Sequence, residues 1–201
     1  MAVENGARWG RAERAKAAGL LMAGWLVLLW VLEGVDTVTG HSLDTFGITA
    51  RDTGDLGDVV PSAFVHFGFG HLAANSLPLL VFGFLAALGG IRRFLAVCAL
   101  IVVVDGLGVW LVSPENTNTA GASGLIFGLF GYLVVRGFVD ASPLDMAVGV
   151  VIGAVWGSSI LLGISPTDSG VSWQGHLFGL VTGVAAAYLF RRRRAAPGLG
   201  T

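Results

Sequence analysis

The chain has 201 residues, 54% hydrophobic and only 12% charged, with 31 glycines. A soluble domain carries about twice that share of charge. An ordinary soluble enzyme and a nucleic-acid partner are therefore not expected, whereas abundant glycine fits helices packed closely in lipid. The lone Cys98 rules out a disulfide framework or a cysteine-rich metal site, and reads as a small hydrophobe in an apolar run.

Residues 1–16 are polar and basic, with Arg8, Arg11, Arg14 and Lys16. The next stretch, 17–35, is apolar apart from Glu33. It is too long for the core of a signal peptide and ends without an Ala-x-Ala site, so it predicts a first membrane-spanning helix. A long polar connection, 36–65, carries Asp44, Asp52, Asp55, Asp58 and Arg51. Loops of that length are more often functional than filler. Its own secondary structure is not legible from pattern alone, and His41 reads as an exposed loop residue.

Five more apolar segments follow, at about 71–88, 94–112, 121–135, 146–162 and 175–190. Pro78 inside the second is tolerable in a membrane helix. The sixth stops at four consecutive arginines, Arg191 to Arg194. The expected organisation is a polar segment (1–16), one membrane domain of six spans (17–190) and a basic tail (191–201). The fold class is an all-α, polytopic six-transmembrane helix bundle. With six spans, every Lys and Arg except Arg51 falls on the side of the termini, and the positive-inside rule makes that side cytoplasmic. The localisation expected is the cell membrane, multi-pass, with both termini in the cytoplasm and the acidic loop outside.

This topology puts chemistry at one depth. The second, fourth and sixth spans run in the same direction, and His71, Ser123 and His176 stand near their starts. Polar groups in a bilayer are costly and usually face a protein interior or a wet cavity. Gly124, Gly128 and Gly131 in the fourth span, and Gly175, Gly179 and Gly183 in the sixth, provide small faces on which helix backbones can approach. If those faces meet, Ser123 and His176 reach each other as nucleophile and general base. His71 and Asn75, at i and i+4, share a face and can donate hydrogen bonds to an oxyanion together with the Ser123 N–H. No third triad member stands out, so a dyad is the economical reading. Asp105, inside the third span, is either an ion or proton-relay group or a link between helices.

Gly121-Ala122-Ser123-Gly124, preceded by His66-x-x-x-x-His71-x-x-x-Asn75 and followed by Gly175-His176-x-x-Gly179-x-x-x-Gly183, resembles the rhomboid intramembrane serine proteases. The resemblance runs from about His66 to Phe190 and includes the six-span layout of the basic bacterial form. It implies Ser123 and His176 as catalytic residues and His71 and Asn75 as the oxyanion hole. His66, Gly121, Gly124, Phe127, Gly179 and Gly183 are implied as supporting residues. It implies a water-filled cavity open to the outer face, and single-span membrane proteins as substrates cut in or near the lipid bilayer. Phe127 stands where members of the family often have a tyrosine stacked on the histidine, and the Trp-Arg pair common in their first outer loop is absent. No metal or other cofactor is expected, since a zinc protease would want H-E-x-x-H. The rival readings are a non-catalytic rhomboid-like protein that binds membrane helices, a metal-dependent membrane protein using His66, His71 and His176, and a small transporter built around Asp105.

Overall fold

The computed structural model describes residues 10–166 and 170–192. Residues 1–9 of the basic segment and 193–201 of the tail lie outside them. Six long helices dominate: α1 (Arg11–Val38), α2 (Phe69–Ala87), α3 (Ile91–Val112), α4 (Ser123–Val139), α5 (Pro143–Gly163) and α6 (Trp173–Leu189). α1, α2, α3 and α5 are long and apolar enough to cross a membrane. α4 and α6 have 17 residues each, at the short end of what spans the hydrocarbon, about 26 Å at 1.5 Å per residue. The outward surface inverts that of a soluble protein. Leu20, Val27 and Val31 on α1, and Val151, Val155 and Leu161 on α5, are exposed, as expected where lipid is the solvent. The chain is a polytopic helical membrane bundle.

α4 is the centre. Every residue from Gly124 to Leu133 is buried, and α4 packs against α6, α5, α2 and α3. The contact with α6 is made by backbone on backbone. A Cβ at Gly179 would collide with the Gly124 carbonyl, and one at Gly183 with the Gly128 carbonyl. The third glycine of the sixth-span row behaves differently. Gly175 faces α3, where a Cβ would meet Val109 at 3.1 Å and Asp105 at 3.3 Å. The doubled G-x-x-x-G therefore serves two neighbours, because residues at i and i+8 drift around a 3.6-residue helix. α1 is peripheral and packs on α2, with Met22 filling the hollow over Gly83.

The long connection after α1 is folded. It holds three short 3₁₀ turns, Ser42–Phe46, Gly54–Val59 and Pro61–Ala63, and a strand β1 (Ile48–Thr49). β1 pairs antiparallel with β2 (Asn118–Thr119), matching Ile48 with Thr119. Further clasps fix the connection to the end of α3: Trp110 Nε1–H donates to the Asp52 carbonyl at 2.7 Å, and Arg51 to the Ser113 carbonyl at 2.9 Å. β2 lies four residues before Ser123, so this network reaches the loop that leads into α4.

At the opposite end of the bundle, Arg136 is almost fully buried and pairs with Asp145 at 2.8 Å. Arg93 offers two nitrogens to Asp140 at 3.2 Å, and the Arg192 N–H donates to the same carboxylate at 2.8 Å. Arg93 and Arg136 also lie 5.7 and 5.6 Å from the Tyr132 ring centroid. Basic residues from the first turn of α3, from α4 and from the start of the tail thus gather at one end.

Candidate active site

Ser123 is the first residue of α4. The N–H groups of a helix's first turn have no intrahelical partner, and the helix dipole makes that end attractive to negative charge. The chain enters α4 through Gly121, whose φ of 125° is open to glycine and costly for other residues. A Cβ there would also strike the His71 ring, at 2.7 Å from Cε1. Two bonds hold this entry: Gly121 N–H donates to the Ser62 carbonyl at 2.8 Å, and Ala122 N–H donates to His66 Nε2 at 3.3 Å.

His66 holds this entry in place. It is buried, lies edge-on to His71 with centroids 5.1 Å apart, and carries the turn that presents Ser123. Burial, helped by the neighbouring His71, lowers its pKa from 6.5 to about 4. The ring is therefore neutral at physiological pH, as an accepting Nε2 requires.

His176 stands in the first turn of α6 and is buried. Its Nδ1 lies 2.8 Å from the Gly163 carbonyl at the end of α5. A carbonyl only accepts, so Nδ1 carries the proton and Nε2 is left as a basic lone pair. The Phe127 ring lies flat on the imidazole, with centroids 3.9 Å apart and planes within 9°. Gly163 makes this possible, because a Cβ there would run into Phe127 and come within 3.2 Å of His176 Nδ1.

His71 and Asn75 lie on α2, one turn apart. Asn75 is buried and its Nδ2 has no hydrogen-bond partner. An unpaired buried donor costs about 1–3 kcal/mol, which makes this nitrogen a waiting group. Ser123, His176, His71, Asn75 and Phe127 all line one cavity of about 880 Å³, closed on other sides by residues such as Thr119 and Trp173. No hydrogen bond joins Ser123 to His176 among the described residues; in a ligand-free site such bonds are often long and tighten around substrate. The sequence-predicted set is brought together: Gly124, Gly179 and Gly183 bring α6 onto α4, and Gly121 and His66 shape the turn. Asp105 reaches between Gly124 and Gly175 behind the site, with Oδ1 buried and unpaired, and borders a second cavity of about 20 Å³ that Ser123 also lines. Two partners escape sequence reading, the carbonyls of Gly163 and Ser62, since a carbonyl acceptor leaves no mark on residue type.

The chain is thus of the class of helical membrane bundles with an internal cavity, here lined by a serine at a helix start and a histidine of fixed tautomer. Comparison with known proteins narrows the class: the Rhomboid domain matches residues 53–193. The chain belongs to the rhomboid family. It is similar to uncharacterized protein Rv1337 of Mycobacterium tuberculosis strain H37Rv, 42% identical over 179 residues, covering 85% of this chain and 74% of that one. It is 38% identical over 203 residues to uncharacterized protein ML1171 of Mycobacterium leprae, covering 95% and 80% of the two chains. It is also 30% identical over 164 residues to the Bacillus subtilis protein named "Putative rhomboid protease YdcA", covering 81% and 76%.

Proposed function

We propose that the protein is an intramembrane serine endopeptidase that cuts single-span membrane proteins in or near the bilayer, through a Ser123–His176 dyad. The observation that carries this is the His176 tautomer: with Nδ1–H held by the Gly163 carbonyl, Nε2 is the nitrogen free to take a proton, on a ring that shares a cavity with Ser123.

The chemistry follows from these groups. Ser123 Oγ attacks the scissile carbonyl carbon while His176 Nε2 removes its proton. Negative charge builds on the former carbonyl oxygen. Asn75 Nδ2, the His71 ring and the Ser123 N–H at the start of α4 are the donors that stabilise it. His176 returns the proton to the leaving amine, which departs as the C–N bond breaks. A water entering the cavity then attacks the acyl-enzyme, with His176 again acting as base.

Both termini are cytoplasmic and the cavity opens to the outer face. The gathering of Arg93, Arg136 and Arg192 at the end remote from Ser123 supports this orientation. α4, enclosed by its neighbours, and α6, which exposes Val181 and Leu189, count as the fourth and sixth spans, which gives six in total.

The deciding experiment is labelling of the purified protein by a fluorophosphonate, which modifies activated serines. Wild type should label and Ser123→Ala should not. Equal labelling of the two, or none of the wild type in a folded preparation, overturns the proposal.

A further inference from the structure

The last turn of α1 carries a cluster with no part in the chemistry above. Asp36 is buried, and its Oδ2 lies 2.9 Å from His41 Nδ1. Asp44 Oδ2 lies 3.9 Å from the same nitrogen. One donor atom from each of Asp36, His41 and Asp44 falls within 4.8 Å of the other two. Among the described residues, no Lys or Arg pairs with these carboxylates.

A second, independent feature points into the cluster. Glu33 sits three residues before Asp36, on the same face of α1. It is only 2% exposed, and neither of its carboxylate oxygens has a hydrogen-bond partner. Its charged neighbours are Asp36, Asp44 and His41, and the Gly68 N–H is the backbone donor that faces it. Asp44 Oδ1 is likewise buried and unpaired. Three acidic groups therefore gather beside the His41 imidazole, with no Lys or Arg among the described residues to balance them. Burying ionised carboxylates without partners is costly, and such groups are normally paired or bound to metal.

We propose that Asp36, His41 and Asp44, with Glu33 buried beside them, bind one divalent cation such as Mn²⁺ or Zn²⁺, joining the end of α1 to the loop that follows. One imidazole nitrogen with carboxylate oxygens is a donor set these ions accept, and the imidazole disfavours Ca²⁺ and Mg²⁺. Donors around an ion with bonds of about 2.0–2.2 Å sit roughly 3–3.5 Å apart; the Asp36 and Asp44 oxygens stand 2.9 and 3.9 Å from His41 Nδ1, so binding draws Asp44 inward. The ion supplies the positive charge that these carboxylates lack, and His41 ligates it as neutral imidazole.

The full-length protein in detergent, stripped with EDTA, is titrated with Mn²⁺, and free ion is read by electron paramagnetic resonance. The expected result is one bound Mn²⁺ per chain, displaced by Zn²⁺, with a Tm that climbs as metal is added. His41→Gln and Asp44→Asn should each weaken binding about 10-fold or more, and His71→Asn should leave it unchanged. His41 is an exposed side chain, so its replacement spares the bundle. Glu33→Gln offers a further variant, raising Tm without metal while lowering affinity. Failure of wild type to saturate at millimolar Mn²⁺ overturns the proposal, as does binding that survives in both His41→Gln and Asp44→Asn, or binding lost in His71→Asn.

Discussion

The imidazole of His176 rests face to face on the ring of Phe127, 3.9 Å between centroids. Phe127 is one turn along α4 from Ser123, so the helix that presents the serine also fixes the plane of the histidine. Stacked aromatic pairs contribute about 0.5–1.5 kcal/mol beyond their buried area. Phe127→Ala should accordingly lower kcat about 2- to 10-fold with little change in KM, and Phe127→Tyr should stay near wild type. Steady-state cleavage of a single-span substrate reads both, and a Phe127→Ala enzyme of unaltered kcat would deny the ring its positioning role.

The unpaired Asn75 Nδ2 leads to a second prediction. Asn75→Ala removes an oxyanion donor and should cost about 10²–10³ in kcat. The loss will fall at the lower end if His71 and the Ser123 N–H share the same oxygen. It should also relieve a buried unsatisfied donor, so Tm should hold or rise. Turnover and thermal melts of the same preparation check the pair of outcomes; a large drop in Tm would recast Asn75 as a structural residue.

Gly179→Val places branched carbon on the Gly124 carbonyl. Overpacking of this kind costs about 1–3 kcal/mol, and here it also wedges His176 away from Ser123. Activity and thermal stability should fall together. An equally stable, fully active variant would show that the glycine contact does not set the site.

The fourth prediction concerns acid. His66, in the connection ahead of α2, has a folded pKa lowered to about 4 from 6.5, chiefly by burial. The unfolded chain therefore binds the extra proton more readily, and stability rises with pH across that window. The neutral-ring contribution is fully present above about 6.5 and is lost as pH falls towards 4, when protonation removes the acceptor for Ala122 N–H. Melting curves of wild type and His66→Gln over this range should show the steeper acid loss in wild type. Parallel curves would mean that His66 does not titrate with folding.

Much of this site can be read in the sequence because its side chains recur at helical spacing. His71 and Asn75 share a face at i and i+4, and Gly179 and Gly183 share another. Ser123 announces itself by opening an apolar run after a glycine. Three things are not legible for one physical reason, that they depend on where backbone goes. The Gly163 carbonyl fixes the His176 tautomer, His66 accepts from Ala122 N–H across 56 positions of sequence, and Gly175 turns to α3 through helical drift. The connection after α1 is a further case. Its aspartates look like solvated loop, yet Asp52 Oδ1 accepts from Gly54 N–H at 2.8 Å to shape a turn, and Asp36 is buried. Short polar side chains that bond their own backbone suppress the apolar periodicity that would reveal a folded segment.

The contact of Gly179 and Gly183 on the α4 backbone means that the spacing of the helices bearing Ser123 and His176 has no rotamer in it at those two points. Side chains at a helix interface hop between wells, and each hop moves the helix axes slightly. Here the closest approach of the two axes, at Gly179 and Gly183, is made by main-chain atoms, so the separation there behaves as a fixed gauge. Thermal motion that carries α4 will carry α6 with it. α5 is tied to the same pair, since Gly149 lies against the Leu133 and Val134 carbonyls, Gly163 against Phe127, and Asp145 pairs with Arg136, so any change in the width of the cavity falls to the helices beyond these three.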